Sequence, residues 1–190
     1  MKWNTPLLNM RGVSAVRFNW IFLFTVLALP AHSQSPPAPE ACNRGVTCKA
    51  NITIGEGYVT GTETVEAAIA VLDMVRGEKA WDLVKAASPS NKYPDAGMEY
   101  LAVRIRFALG AKGDLGDLSY GIRDEQFALV SESGRHYERP SIVLPKPALS
   151  GRLYRGDSLE GWIVLLVSTE DRKPLMSFGN NYNRVWFKLY

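Results

Sequence analysis

From Thr64 to Tyr190, apolar residues recur with period two in short runs that turn-forming residues interrupt. A strand sends alternate side chains to opposite faces, so each such run buries one face against a second sheet. Val65, Ala67, Ile69 and Val71 alternate with Glu66, Ala68, Ala70 and Leu72, which predicts a strand to about Met74. Leu101, Val103, Ile105, Phe107 and Leu109 alternate with Tyr100, Ala102, Arg104, Arg106 and Ala108 and predict a second, half-buried strand. Further strands are expected at Tyr120–Arg123, Gln126–Ser131, Tyr137–Val143, Leu149–Leu153, Leu159–Ser168, Leu175–Phe178 and Val185–Tyr190, with turns such as Glu132–Arg135 and Tyr154–Asp157 between them. Leu159–Val167 is apolar on both alternating sets, which predicts a central strand with Trp162 buried. Between Glu78 and Ser88, Ala80, Trp81, Leu83, Val84 and Ala87 recur at helical spacing before a Ser-Pro stop, so one short helix is expected to cover an open end or edge of the sheet. The expected fold is mainly β, an antiparallel sandwich with one short helix.

The N-terminal third has a different character. Lys2, Arg11 and Arg17 precede the apolar run Trp20–Ala31, and Ala31 and Ser33 have the A-x-S spacing of a cleavage site, so residues 1–33 read as a secretory signal peptide. An uncleaved anchor is the alternative, although the run is short for a membrane span. The formal charge of +3 resides in this leader: beyond it, 19 basic residues balance 19 acidic ones. A nucleic-acid partner therefore has no electrostatic support, and no membrane attachment is expected after cleavage. Residues 34–63 read as a Pro-rich tether followed by a cysteine loop, and residues 64–190 as the sandwich.

Cys42 and Cys48 are the two cysteines, and in an oxidising compartment a lone nearby pair is expected to form a disulfide. Their spacing is not that of a redox C-x-x-C pair, and no histidine lies nearby to complete a zinc site. Asn51-Ile-Thr53 matches a glycosylation sequon and is read as chance. Asp114 and Asp117, in the Gly110–Asp117 loop, do not reproduce a calcium-binding loop and are read as turn residues. Arg104 and Arg106 are expected on the solvated face of their strand. No metal site or cofactor site is expected.

Five segments in order carry a resemblance: Arg76-Gly-Glu-Lys-Ala-Trp81, Gly97-Met-Glu-Tyr-Leu101, Phe127-Ala-Leu-Val130, Gly156-Asp-Ser-Leu-Glu-Gly-Trp162 and Val185-Trp-Phe-Lys-Leu189. From about Ala67 to Tyr190 the chain resembles a family of secreted bacterial immunoglobulin-like domains of unknown function, similar in fold to a secreted mycobacterial antigen. The resemblance implies an immunoglobulin-like sandwich outside the cytoplasm and brings no catalytic residues. Residues 34–63 lie outside it.

Gly156-Asp-Ser-Leu159 also spells the signature of a serine esterase family, with Ser158 as nucleophile. In those enzymes the serine lies early and a histidine follows near the C-terminus. Here His32 and His136 both precede Ser158, and a seryl hydroxyl needs a base within reach. The expected function is a non-enzymatic binding module, secreted or held in the periplasm or cell envelope, that engages an extracellular or envelope protein or glycan. Tyr93, Tyr137 and Tyr182 lie near turns and are candidate contacts, but the sequence singles out no binding site. A structural spacer is the remaining alternative.

Overall fold

The computed structural model describes residues 40–55, 63–111, 119–180 and 183–190. The expected signal peptide, most of the expected tether, Asp114, Asp117 and Tyr182 lie outside the described residues. Among these residues nine strands and one α-helix follow in order: β1 (Thr47–Ile54), β2 (Glu63–Arg76), α1 (Glu78–Ala87), β3 (Met98–Leu109), β4 (Tyr120–Ile122), β5 (Phe127–Val130), β6 (Gly151–Leu153), β7 (Ser158–Ser168), β8 (Leu175–Phe178) and β9 (Val185–Lys188). A single 3-10 turn, Asp124–Gln126, precedes β5. One sheet runs β1-β2-β3-β7, a second runs β5-β8-β9, and β4 pairs with β6 in a short ribbon. All pairings between these strands are antiparallel.

The period-two patterns become the two faces of the larger sheet. Val65, Ala67, Ile69 and Val71 of β2 meet Leu101, Val103, Ile105 and Phe107 of β3 in the core, together with Phe127, Phe178 and Phe187 from the smaller sheet. A bulge between Val71 and Asp73 then inverts the parity of β2. Beyond it Met74 packs on the sandwich core and Val75 on the helix side.

The helix covers a face of the sheet rather than the expected end or edge. Ala80 and Val84 are fully buried against Tyr100, Ala102 and Val164, which project outward from β3 and β7. Trp81 stacks on Tyr100, with ring centroids 6.2 Å apart, and meets Tyr93 edge-on at 5.3 Å. Gly77, at φ 65, turns the chain from β2 into the helix. Beneath it Arg76 joins three strands, donating to Glu99 Oε1 at 2.6 Å and to the Ser168 carbonyl at 2.8 Å.

Three further expectations are corrected. β7 is the last strand in its sheet, not a central one, and Trp162 is half-buried on the helix side rather than deep in the core. Both faces of β7 are apolar because the sandwich core covers one and the α1 layer covers the other. Its outer edge is shielded by residues 147–149, through the Trp162 N–H donating to the Pro147 carbonyl at 2.7 Å and the Leu149 N–H donating to the Trp162 carbonyl at 3.0 Å. Second, Tyr137–Val143 forms no strand. His136 makes one isolated bridge to Val130, and the proline-bearing stretch beyond it lays Ile142 and Leu144 on the α1 cluster. Prolines 140, 145 and 147 lack the N–H that a ladder needs.

Third, the sheet begins upstream of Thr64. β1 pairs along β2 from Thr47 with Ala70 to Ile54 with Glu63, because Cys48, Ala50, Ile52 and Ile54 alternate with polar residues and enter the core. Cys42 extends the other sheet: its N–H donates to the Trp186 carbonyl at 2.8 Å, and its carbonyl accepts from Lys188 N–H at 2.9 Å. The Cys42–Cys48 disulfide, with Cα atoms 6.4 Å apart, therefore joins an edge of one sheet to an edge of the other. Replacing both cysteines by serine is expected to lower the unfolding free energy by about 2 kcal/mol, from chain entropy for so short a loop. Unfolding is expected to stay cooperative by circular dichroism. Loss of cooperativity would show that the disulfide holds the sheets together rather than supplementing their packing.

Candidate binding cleft

A cleft of about 310 Å3 opens between the end of β1 and Gly179, Asn180 and Asn183, which lie between β8 and β9. Asn51, Ile52 and Thr53 line one side. Three consecutive strand residues cannot share a face, so the strand edge itself forms this wall. Phe178 lies at the floor, 1% exposed, and is held by the aromatic core, with Phe127 at 5.0 Å and Phe107 at 5.5 Å between ring centroids. Tyr120 forms another wall and stacks on Phe107 with centroids 5.6 Å apart. Burial pushes its phenol pKa up, and a hydrogen bond with Gln126 opposes that shift.

Each remaining wall is fixed by a local turn. Gln126 spends its side chain on the 3-10 turn, accepting from the Arg123 N–H at 3.0 Å and donating to the Gly121 carbonyl at 3.1 Å. Asn180 Oδ1 accepts from the Asn183 N–H at 3.2 Å, which ties the two ends of the β8–β9 connection. Gly179, at φ 96, lets the backbone pass so close that a Cβ there would lie 2.4 Å from the Asn183 carbonyl oxygen. Among the described residues no charged side chain lines the cleft. Its chemistry is that of neutral amides and hydroxyls over an aromatic floor, which suits a neutral polar ligand.

Of the residues singled out from sequence, Asn51 and Thr53 of the sequon line the cleft, and the other described ones lie elsewhere. Tyr93 is 56% exposed, but its hydroxyl donates to Glu78 at 2.5 Å, a contact that raises its pKa. Tyr137 donates to Asp171 Oδ2 at 2.8 Å beside Arg135. Arg104 and Arg106 both project from the outer face of β3 and both grip Glu160, at 3.0 and 2.5 Å. Arg106 foremost holds the Glu160 carboxyl below the usual carboxylate range, so the pair is engaged within the sheet. Ser158 opens β7 opposite Ala108, whereas His136 bridges β5 of the smaller sheet, so no shared element brings the two together. Asp157 accepts from the Tyr154 N–H at 2.8 Å and Gly156 has φ 78, so the esterase-like signature is accounted for by a turn. Asn51 of the sequon is exposed on β1.

Sequence reading did not assemble the cleft. Asn51, Thr53, Tyr120, Gln126, Asn180 and Asn183 come from separated stretches, and the one motif among them, the Asn51-Ile-Thr53 sequon, was read as chance. The available signal was the polar half of the β1 alternation, which marks a strand with a solvated face.

The protein is thus an antiparallel β-sandwich with one short helix on the outer face of its larger sheet. No family model matches the chain, and no curated protein matches it. Among solved structures it is similar to the ycdA protein of Bacillus subtilis, at 14% identity and TM-score 0.47, over 65% of this chain and 36% of that one. It is also similar to the yjhA protein of Bacillus subtilis, at 13% identity and TM-score 0.46, over 78% of this chain and 99% of that one. A third is the secreted protein MPT63 of Mycobacterium tuberculosis, at 12% identity and TM-score 0.45, over 80% of this chain and 99% of that one. These likenesses concern the fold alone.

Proposed function

We propose that the chain is a secreted or envelope-associated, immunoglobulin-like binding module without enzymatic activity, and that its cleft engages an extracellular or envelope protein or glycan. The observation that carries this reading is the cleft itself: neutral amide and hydroxyl groups over an aromatic floor, with the Gln126 and Asn180 amides held by local turns. Such preorganisation lowers the entropic cost of holding a ligand. The cross-sheet disulfide supports an oxidising compartment outside the cytoplasm. A nucleic acid is disfavoured as partner because the 19 basic residues beyond residue 33 are balanced by 19 acidic ones.

The test places a photo-crosslinking residue at Asn183, in the cleft, or at Tyr154, which is 50% exposed in the Tyr154–Asp157 turn, in cells that produce and export the protein. A discrete adduct is expected from position 183 and none from position 154. Adducts from neither position, with both variants folded and exported, would overturn the binding reading in favour of a structural spacer.

A further inference from the structure

We propose that the cleft takes an extended, uncharged peptide segment, which adds a strand to the free edge of β1. The proposal deepens the binding-module reading and rests on it.

Among the described residues β1 pairs with β2 and with no other strand. Which of its backbone groups face outward follows from the ladder. The Gly110 N–H donates to the Glu66 carbonyl at 2.9 Å, so Glu66 turns its backbone groups toward β3. The N–H and carbonyl of one strand residue point to the same side, and successive residues alternate. Val65, Ala67 and Ile69 therefore turn theirs toward β1, and the Gly45 N–H donating to the Val71 carbonyl at 3.0 Å follows the same parity. Their register partners are Ile52, Ala50 and Cys48. It follows that Thr47, Lys49, Asn51 and Thr53 direct their N–H and carbonyl groups away from β2. Of these four, Asn51 and Thr53 line the cleft. Among the described residues no backbone hydrogen bond reaches their outward groups.

The ligand class follows from that spacing. Asn51 and Thr53 present donor and acceptor pairs one ladder repeat apart, about 6.8 Å along the strand. An extended peptide repeats its own N–H and carbonyl groups at this interval, which is the basis of recognition by strand addition. A sugar chain has hydroxyls but no such repeat. The amides of Asn51, Gln126, Asn180 and Asn183 and the Thr53 hydroxyl are neutral hydrogen-bonding groups and match an uncharged segment, because a charge among them would lose hydration without gaining an ionic partner from them. Lys49, the nearest cation on β1, is already paired with Glu66 at 3.0 Å. Ile52 and Phe178 give the floor an apolar spot for one side chain of the segment.

The experiment uses the chain from residue 34 to 190 and a pool of blocked heptapeptides that alternate threonine with valine, leucine or isoleucine. Binding is followed by amide chemical shifts and calorimetry. The pool is expected to bind and to shift the Asn51 and Thr53 amides, and peptides N-methylated at alternate positions are expected to bind about tenfold more weakly, because they cannot complete the ladder. Thr53→Pro removes one outward N–H and takes no bond from β2, at an edge position where proline is tolerated. It is expected to fold and to weaken binding about tenfold, whereas Thr53→Ala keeps the N–H and binds within about twofold of wild type. Equal binding of methylated and unmethylated peptides, or wild-type affinity in Thr53→Pro, would overturn the inference; should that variant fail to fold, the methylated peptides decide. Cleft shifts with cellohexaose but not with peptide would overturn it while leaving the binding-module reading intact. Self-association that occupies the Asn51 and Thr53 amides and excludes peptide would also overturn it. Silence toward every probe would remove the peptide proposal, and the cross-linking result would then decide the wider reading.

Discussion

Phe107→Ala is expected to cost about 3–5 kcal/mol of folding stability, the range for truncating a buried Phe. Phe107 is fully buried, paired in register with Ile69 on one side and Leu159 on the other. Its ring touches Tyr120 of the β4–β6 ribbon and Phe178 of the smaller sheet, so one side chain supports all three layers of strands. For a domain of this size the loss is a large share of the total stability. The two rings it supports also line the cleft, so peptide or glycan binding is expected to weaken along with stability. Urea unfolding followed by tryptophan fluorescence measures the cost, with Arg106→Ala as the neighbouring control. Arg106 is exposed and its pairing with Glu160 lies at the surface, so that variant is expected to lose less than about 1 kcal/mol. Equal costs in the two variants would contradict the assignment of Phe107 as the joint of the sandwich.

Gly161→Ala is expected to be as damaging although it adds a single methyl group. A Cβ at position 161 would lie 2.4 Å from the Leu149 nitrogen and 2.5 Å from the Ala148 carbonyl carbon. These are backbone atoms, which cannot rotate away as a side chain would. The 147–149 segment would have to leave β7, breaking the two hydrogen bonds through Trp162 and withdrawing Leu149, which is fully buried. Overpacking with loss of those contacts is expected to cost about 3 kcal/mol or more. The second effect is association, because peeling the segment away exposes the edge of β7 to other chains. Denaturation and size-exclusion chromatography read both effects. A monomeric variant of wild-type stability would show that the segment does not rest on Gly161.

The legible parts of the fold were those whose information is local. β8 at Leu175–Phe178 coincides with expectation, and α1 ends one residue short of the expected Ser88. β2 and β3 show the anticipated core faces, because alternation reports one buried side directly. β1 carried the same alternation, but its inward residues begin with Cys48 and Ala50, weak apolar signals beside a cysteine pair that reads as a loop. The parity change at the β2 bulge has no sequence marker of comparable strength. Trp162 was misplaced for a related reason: an apolar run on both faces means cover on both faces, and that cover need not come from neighbouring strands.

The cleft was legible only in the polar half of the β1 alternation. Its walls are Asn, Gln, Thr and Tyr residues, each common in turns, and what joins them is the register that sets Asn51 and Thr53 beside the β8–β9 connection.

By itself the sequence determined the alternating strands, the short helix and the pairing of two nearby cysteines, because period, capping and proximity act over a few residues. Only the tertiary structure decided which strand stands at an edge, which apolar face meets the helix, that the disulfide joins two sheets, and where unpaired backbone faces a cleft. These depend on contacts between residues far apart in the chain, where the energy of burying one face against another selects among arrangements that the local pattern leaves equivalent.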